Sequence, residues 1–224
     1  RVEFTGTSDI TGVNLAFDEL LISGSGTVSL ASGGIEITSL TTETNSTFSL
    51  NGNSTTLSSL DNSGTLALGG VDLVLNGNLT NSGSFTTSGG SLDFQSSASI
   101  NASGTTLPPV VISNGATVQP TSFSDTETID IDGDLTIQGG ASFNTGSTGG
   151  DINVAGNIDV SNGTLTLSSD DSADPVYSLT GNFLVDATNG VFNPDLRTVR
   201  FNGSAQQTIG GNIAFHDLQI DNSS

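Results

Sequence analysis

Several residue types are missing from this chain of 224 residues, which has no cysteine, methionine, tryptophan or lysine. The absence of cysteine excludes a disulfide framework and thiolate chemistry. Residues that favour helices are scarce, which excludes a helical protein or an ordinary α/β enzyme. No apolar run approaches the ~18 residues of a membrane helix, so we expect no membrane insertion in this segment. Because methionine is absent, we expect the chain to be a piece of a longer protein.

Positive charge is also nearly missing. The acidic residues number 23 and face three arginines, Arg1, Arg197 and Arg200, which gives a formal charge of −20. This charge repels the phosphates of nucleic acids and anionic membranes, so we expect no nucleic-acid partner. Cations, neutral glycans and proteins with basic patches remain as partners. The simpler explanation of the charge is that an acidic surface keeps a long β protein from associating.

The residues that are present indicate a β protein with many turns. Half of the chain, 112 residues, is Gly, Ser, Thr or Asn, while Leu, Ile, Val and Phe contribute 61. The apolar residues alternate with polar ones, as in Leu135 and Ile137 or Ile158 and Val160. This period of two is typical of strands with one buried face. Asn-Gly and Asp-Gly pairs mark the turns between them.

The chain repeats itself with a long period, and copies start near residues 2, 92 and 199. The first is VEFTGTSDITGVNLAFDELLISGSG, the last is VRFNGSAQQTIGGNIAFHDLQIDNSS, and a degraded copy between them is LDFQSSASINASGTTLPPVVIS. A shorter repeat lies inside the long one. GDLTI at Gly133, GNIDV at Gly156 and GNFLV at Gly181 share one pattern, and Gly203 continues the spacing. Each unit reads as strand, polar turn, strand and polar turn.

Two architectures fit such strands. A string of antiparallel sandwiches needs tight hairpins but no constant period. A parallel β-solenoid requires the period, because each strand pairs with its equivalent in the next coil. We therefore predict an all-β parallel β-solenoid with coils of about 22–25 residues, continuous over 1–224, in which Leu135, Ile158 and Phe183 stack. Right-handed winding is expected from the usual crossover preference.

The pattern V-x-F-x-G-S-x-x-Q-x-I followed by F-x-x-L-x-I-x-N, from Val199 to Asn222, resembles repeats of very long bacterial surface and secreted proteins. The G-N-[LI]-x-[VI] coils resemble the β-helical shafts of filamentous-haemagglutinin-like and autotransporter-type adhesins. This resemblance implies an extracellular or cell-surface, non-enzymatic shaft that helps a cell attach. It implies no catalytic or cofactor-binding residue. The implied partners are neighbouring coils, copies of the chain stacked end to end, and host, glycan or cell-surface ligands.

Two alternatives stay open. The chain is a subunit of a self-assembling extracellular filament or sheath, whose solenoids stack end to end through adhesive terminal edges. Or it is a carbohydrate-active β-helix enzyme, which would need a cleft holding two carboxylates about 5–10 Å apart. The single histidine, His216, aligns with Asp18 of the first copy, so the position does not demand an imidazole.

Calcium is the one cofactor that the acidic residues suggest, since it prefers several carboxylate and carbonyl oxygens at short range. The sequence DIDGD supplies Asp130, Asp132 and Asp134, although its glycine does not fit the EF-hand spacing. A solvated outer face is the competing interpretation. A second acidic cluster in SSDDSADP consists of Asp170, Asp171 and Asp174.

Overall fold

The computed structural model describes residues 1–121, 124, 126–146, 149–169 and 176–223. These residues form an all-β parallel solenoid of about ten stacked coils, and no helix occurs among them. All strand pairings that the structure describes are parallel and join one coil to the next. The predicted fold class is confirmed.

Each coil has three sides, which the chain visits in the same order. Three eight-residue strands bend from the first side into the second: β3 (Leu15–Ile22), β5 (Ile35–Thr42) and β7 (Thr55–Asn62). Later strands of the first side are β9 (Leu73–Leu75), β12 (Leu92–Phe94), β15 (Val110–Ile112), β18 (Leu135–Ile137), β21 (Ile158–Val160), β24 (Phe183–Val185) and β27 (Ile209–Gly210).

The second side contains the ends of the three bent strands and seven short strands. These are β1 (Val2–Phe4), β10 (Leu79–Asn81), β13 (Ala98–Asn101), β16 (Thr117–Pro120), β19 (Ala141–Asn144), β22 (Gly163–Thr166) and β25 (Val191–Asn193). Because the bent strands pair with both sets, the first and second sides form one sheet of 17 strands.

The third side is built from a five-stranded and a six-stranded sheet that follow each other along the axis. The first contains β2 (Ser8–Ile10), β4 (Thr27–Leu30), β6 (Thr47–Ser49), β8 (Thr65–Ala67) and β11 (Ser84–Thr86). The second contains β14 (Thr106–Leu107), β17 (Thr128–Ile131), β20 (Asp151–Val154), β23 (Val176–Leu179), β26 (Thr198–Phe201) and β28 (Asp217–Ile220).

The coils are shorter in the N-terminal half than in the C-terminal half. Paired residues on the first side are 20 apart between Leu15 and Ile35 and 18 apart between Thr55 and Leu73. The step becomes 25 between Val110 and Leu135. The predicted length of 22–25 residues thus describes the coils from which it was read, while the earlier coils close with shorter turns.

The core is a set of stacked apolar columns inside the three sides. Leu135 pairs with Ile158, Ile158 pairs with Phe183, and all three side chains are buried, as predicted. Burying one such side chain contributes about 1.5–3 kcal/mol to folding. Because such columns continue from coil to coil, a narrow apolar strip supports the stack even though half of the chain is Gly, Ser, Thr or Asn.

The glycines of the short repeat also form a column. A Cβ atom added to Gly156 would lie 2.6 Å from the carbonyl carbon of Gly133, and one added to Gly181 would lie 2.5 Å from the carbonyl oxygen of Gly156. A Cβ atom on Gly203 would instead meet the carbonyl oxygen of Thr180, one residue before the column. The close approach of the coils at this corner explains why glycine recurs there.

The three long-period copies have the same pairing but lie on three different sides. In each copy the first strand, V-x-F in two copies and L-x-F in the middle one, is covered one coil later by an L-x-I or V-x-I strand. The pairs are Val2 with Leu20 and Phe4 with Ile22, Leu92 with Val110 and Phe94 with Ile112, and Val199 with Leu218 and Phe201 with Ile220. The first strands of the copies are β1 on the second side, β12 on the first and β26 on the third.

Candidate functional site

The outer surface of the third side carries a groove in its C-terminal half, with a volume of about 420 Å³. We call it the third-side groove and define it by six residues that line it: Asp130, Asp132, Asn153, Ser178, Thr180 and Arg200. Strand register explains how they meet. Asp130 pairs with Asn153, Asn153 with Ser178, and Ser178 with Arg200 in successive coils, so their side chains form one outward column.

A second outward column, which begins with Asp132 and includes Ala155 and Thr180, forms the other edge of the groove. Residues two apart on a strand point to the same face about 7 Å apart. The small side chains of Ala155 and Ser178 lie in the middle, whereas Asp132 and Arg200 stand towards opposite ends. The groove therefore runs along the solenoid axis and has a neutral centre.

Hydrogen bonds hold several of these side chains in place. The amide Nδ2 of Asn153 donates to Oδ1 of Asp130 at 2.9 Å, and the hydroxyl of Thr180 donates to the carbonyl oxygen of Ala155 at 2.7 Å. Nε of Arg200 lies 2.8 Å from Oδ2 of Asp221, and the side chain of Arg200 is 41% exposed. Arg200 thus supplies a guanidinium whose charge is partly balanced and screened by solvent.

The structure separates the calcium candidates from one another. Asp130 and Asp132 line the groove, whereas Asp134 lies at the next corner, where its Oδ1 accepts from the backbone amide and from Nδ2 of Asn157 at 2.7 and 3.1 Å. Within the described ranges, no group of three or more Asp, Glu, His or Cys side chains is placed to hold a metal ion. Asp170, Asp171 and Asp174 lie outside the described residues.

The corner occupied by Asp134 has a structural use. Asn157 and Asn182 follow Asp134 at the same corner in the next two coils, and Oδ1 of Asn157 accepts from the backbone amide of Asn182 at 2.8 Å. Oδ1 of Asn182 in turn accepts from the amide of Thr208 at 2.7 Å. The side chains of this column therefore supply hydrogen bonds between coils where the strands have ended.

Inside the solenoid is an internal polar ladder that the sequence analysis missed. It consists of Thr42, Asn62, Asn81 and Thr105 in four successive coils. The hydroxyl of Thr42 donates to Oδ1 of Asn62, Nδ2 of Asn62 donates to Oδ1 of Asn81 at 2.7 Å, and Nδ2 of Asn81 donates to the Thr105 hydroxyl at 2.8 Å. Spacings of 20, 19 and 24 residues between Thr or Asn could have revealed it.

Arg197 was also missed, because an arginine in an acidic chain is expected at the surface. Its side chain is instead fully buried. His216 is exposed, as its alignment with Asp18 suggested, and its Nδ1 lies 3.1 Å from Oδ2 of Asp217.

Three further depressions of 440, 360 and 330 Å³ lie in the N-terminal half, along the bent strands β3, β5 and β7. Their lining includes acidic residues such as Glu36 and Glu19. The third-side groove differs from them in its polar column, which is continuous through four coils.

No family model, curated protein or solved structure matches the chain. The described part of the chain also contains no helix long and apolar enough to cross a membrane. The proposals on function therefore rest on the solenoid and the groove.

Proposed function

We propose that the chain is a non-enzymatic structural shaft of a large extracellular or cell-surface repeat protein with an adhesive role. The observation that carries the proposal is the uninterrupted parallel stack of about ten coils. At about 4.8 Å per coil the stack is a rod about 48 Å long. Parallel pairing makes every coil a support for the next, so the rod can hold a binding region away from a cell.

The composition supports exposure to the surroundings. Trypsin-like proteases cut after Lys or Arg, and the chain offers three arginines, of which Arg197 is buried. The charge of −20 favours solubility of a long β protein and suppresses association through its sides. Neither property requires a catalytic residue or a cofactor.

Surface labelling of the source cells tests this proposal. An epitope inserted at the exposed turn of Asn51 and Gly52, where positive φ values of 50° and 77° mark a tight turn, leaves the strands intact. We expect an antibody to label the epitope on unbroken cells or in the culture medium. Labelling that requires lysis of the cells would contradict an extracellular location. The same epitope inserted beside Phe48, whose side chain is buried, serves as a control in which the insertion is expected to disturb folding.

End-to-end assembly is the second candidate, because the parallel pairing that joins one coil to the next would join a coil of a second copy in the same way. Leu218 and Ile220 lie on β28, where they pair with Val199 and Phe201 of the preceding coil. A second copy that places Val2 and Phe4 on the outer edge of β28 would continue the parallel stack, with the order of the two strands reversed relative to the pairing inside the chain. Sedimentation velocity tests this candidate: assembly should grow with concentration and be lost in Leu218→Glu. A monomer at every concentration would exclude it.

A carbohydrate-active enzyme is the third candidate, because Asp130 and Asp132 lie side by side in one groove. Asp130 lies in β17 and Asp132 just beyond its end, and glycoside hydrolases use a pair of carboxylates in one cleft. We favour the shaft because the groove is shallow and open to water. Release of reducing ends from polysaccharides, abolished in Asp130→Asn and Asp132→Asn, would favour the enzyme instead.

A further inference from the structure

We propose that the third-side groove binds a neutral polysaccharide chain that lies along the solenoid axis. The inference deepens the proposed function and rests on it, since a glycan partner requires an exposed shaft. It names the class of ligand and the residues that contact it.

The shape of the groove suits an extended chain. From Asp130 to Arg200 the outward column crosses three coil steps, which is about 14 Å. The small residues Ala155 and Ser178 leave the middle of the groove low, while Asp132 and Arg200 rise towards its ends. A linear polymer can lie in this trough, whereas a compact ligand would leave most of it empty.

The polar groups of the groove match the hydroxyls of sugars. Carboxylates accept two hydrogen bonds from neighbouring hydroxyls, and a guanidinium donates several in a fixed plane. Among the described residues, neither the hydroxyl of Ser178 nor the side-chain amide of Asn202 has a hydrogen-bond partner within the protein. Asn202 is exposed and therefore available to a ligand at the Arg200 end of the groove, whereas Ser178 is largely buried in its centre.

Charge selects a neutral polymer over an anionic one. Asp130 and Asp132 repel anions at one end of the groove, and the overall charge of −20 repels them at a distance. The charge of Arg200 is partly balanced by Asp221, so the groove holds no strong positive charge that would offset this repulsion. A neutral chain of hydroxyls avoids the penalty.

The affinity of one groove is expected to be low. None of the described residues that line the groove is aromatic, so the sugar rings gain no stacking on a flat side chain. A dissociation constant of about 1 mM is a reasonable expectation for such a site. Several copies along a surface would raise the overall avidity without new contacts.

The test is a titration of the complete ¹⁵N-labelled 224-residue chain, followed by amide chemical shifts. The neutral probes are cellohexaose, xylohexaose and mannohexaose, and the charged probes are hexagalacturonate and hexalysine. We expect at least one neutral probe to shift the amides of Asn153, Ser178 and Thr180. The substitution Ala155→Leu fills the centre of the groove and should weaken binding about tenfold.

The matched control is Ala67→Leu, which makes the same change on the outward face of β8, outside the groove. It should leave binding unchanged. A second variant, Asp132→Asn, removes one carboxylate at an exposed position and should weaken binding about threefold. It keeps the test decisive if Ala155→Leu disturbs the coil.

Four outcomes would overturn the inference. These are no shift of the groove amides with any neutral probe at about 10 mM, equal weakening by Ala155→Leu and Ala67→Leu, binding of a charged probe alone, and release of reducing ends from a bound probe. The surface labelling at Asn51 is independent of these results. Loss of glycan binding with positive labelling would reject the groove and leave the shaft, whereas negative labelling rejects the shaft itself.

Discussion

Replacing Gly181 by alanine tests the close stacking of the coils at one point. A Cβ atom at this position would lie 2.5 Å from the carbonyl oxygen and 2.6 Å from the carbonyl carbon of Gly156, and 2.8 Å from the amide nitrogen of Asn157. All three atoms belong to the backbone of the preceding coil, so no side chain can rotate away. The backbone of Gly181 does not have a positive φ, and the cost is therefore steric.

The expected loss of stability follows from how far the two coils must separate. Relieving the clash requires the two coils to separate by almost 1 Å, out of a normal spacing of about 4.8 Å. Two hydrogen bonds span this corner, from the amide of Gly181 to the Gly156 oxygen at 2.9 Å and from the amide of Asn182 to Oδ1 of Asn157 at 2.8 Å. Weakening both costs about 2 kcal/mol. Residual crowding of about 1 kcal/mol brings the expected loss to about 3 kcal/mol.

Urea unfolding followed by far-ultraviolet circular dichroism measures this loss. The matched control is Gly6→Ala, because a Cβ atom there has no neighbour within 4 Å and its φ is not positive. We expect Gly6→Ala to change the free energy of unfolding by less than about 1 kcal/mol, in the stabilising direction. Equal stabilities of the two variants would refute the stacked glycine column. Hydrogen exchange at Asn157 and Asn182 would show whether the damage is local.

Three other predictions concern polar groups. Asn62→Ala should lower the free energy of unfolding by about 2–4 kcal/mol, because it leaves Oδ1 of Asn81 buried without its donor and removes the acceptor of the Thr42 hydroxyl. Unchanged urea midpoints would contradict the internal polar ladder. The backbone amides of Asn189 and Thr188 donate to Asp186 and lower the pKa of its carboxyl below the usual 3.8. This turn should therefore be stable above pH 3.8 and loosen only in stronger acid. An NMR titration midpoint of Asp186 at or above 3.8 would contradict these hydrogen bonds. Burial raises the pKa of Tyr177, the only tyrosine of the sequence. The contribution of Tyr177 to folding stability is therefore complete below pH 10 and is lost as the pH rises. Tyrosinate absorbance should appear only together with unfolding.

Periodicity was sufficient to predict the apolar columns. Leu135, Ile158 and Phe183 recur at the coil spacing with apolar neighbours two residues on, and the constant spacing favoured a solenoid over sandwiches. The shorter N-terminal coils were harder to recognise, because the bent strands such as Ile35–Thr42 hide the corner between two sides within one apolar pattern. The handedness of the coil stays a prediction.

The groove was harder to predict from the sequence than the apolar columns. Asp130 and Asp132 attracted attention as carboxylates, yet their neighbours in space come from other coils at spacings of 23, 25 and 22 residues, through Asn153, Ser178 and Arg200. Nothing in the local sequence of these residues suggests a site. Only the strand register brings them into one column, and polar outward residues carry no apolar pattern that would fix this register in advance.

The equal pairing within the three long-period copies has a geometric consequence. From β1 to β12, and again from β12 to β26, the chain passes through fourteen strand positions, with each bent strand counted twice. At three positions per coil this is four and two-thirds turns, a climb of about 22 Å. Successive copies therefore point a third of a revolution apart and wind around the rod like the thread of a screw. An array of such copies would present the same features in three directions, so a flat surface in contact with one side of the rod would meet every third copy.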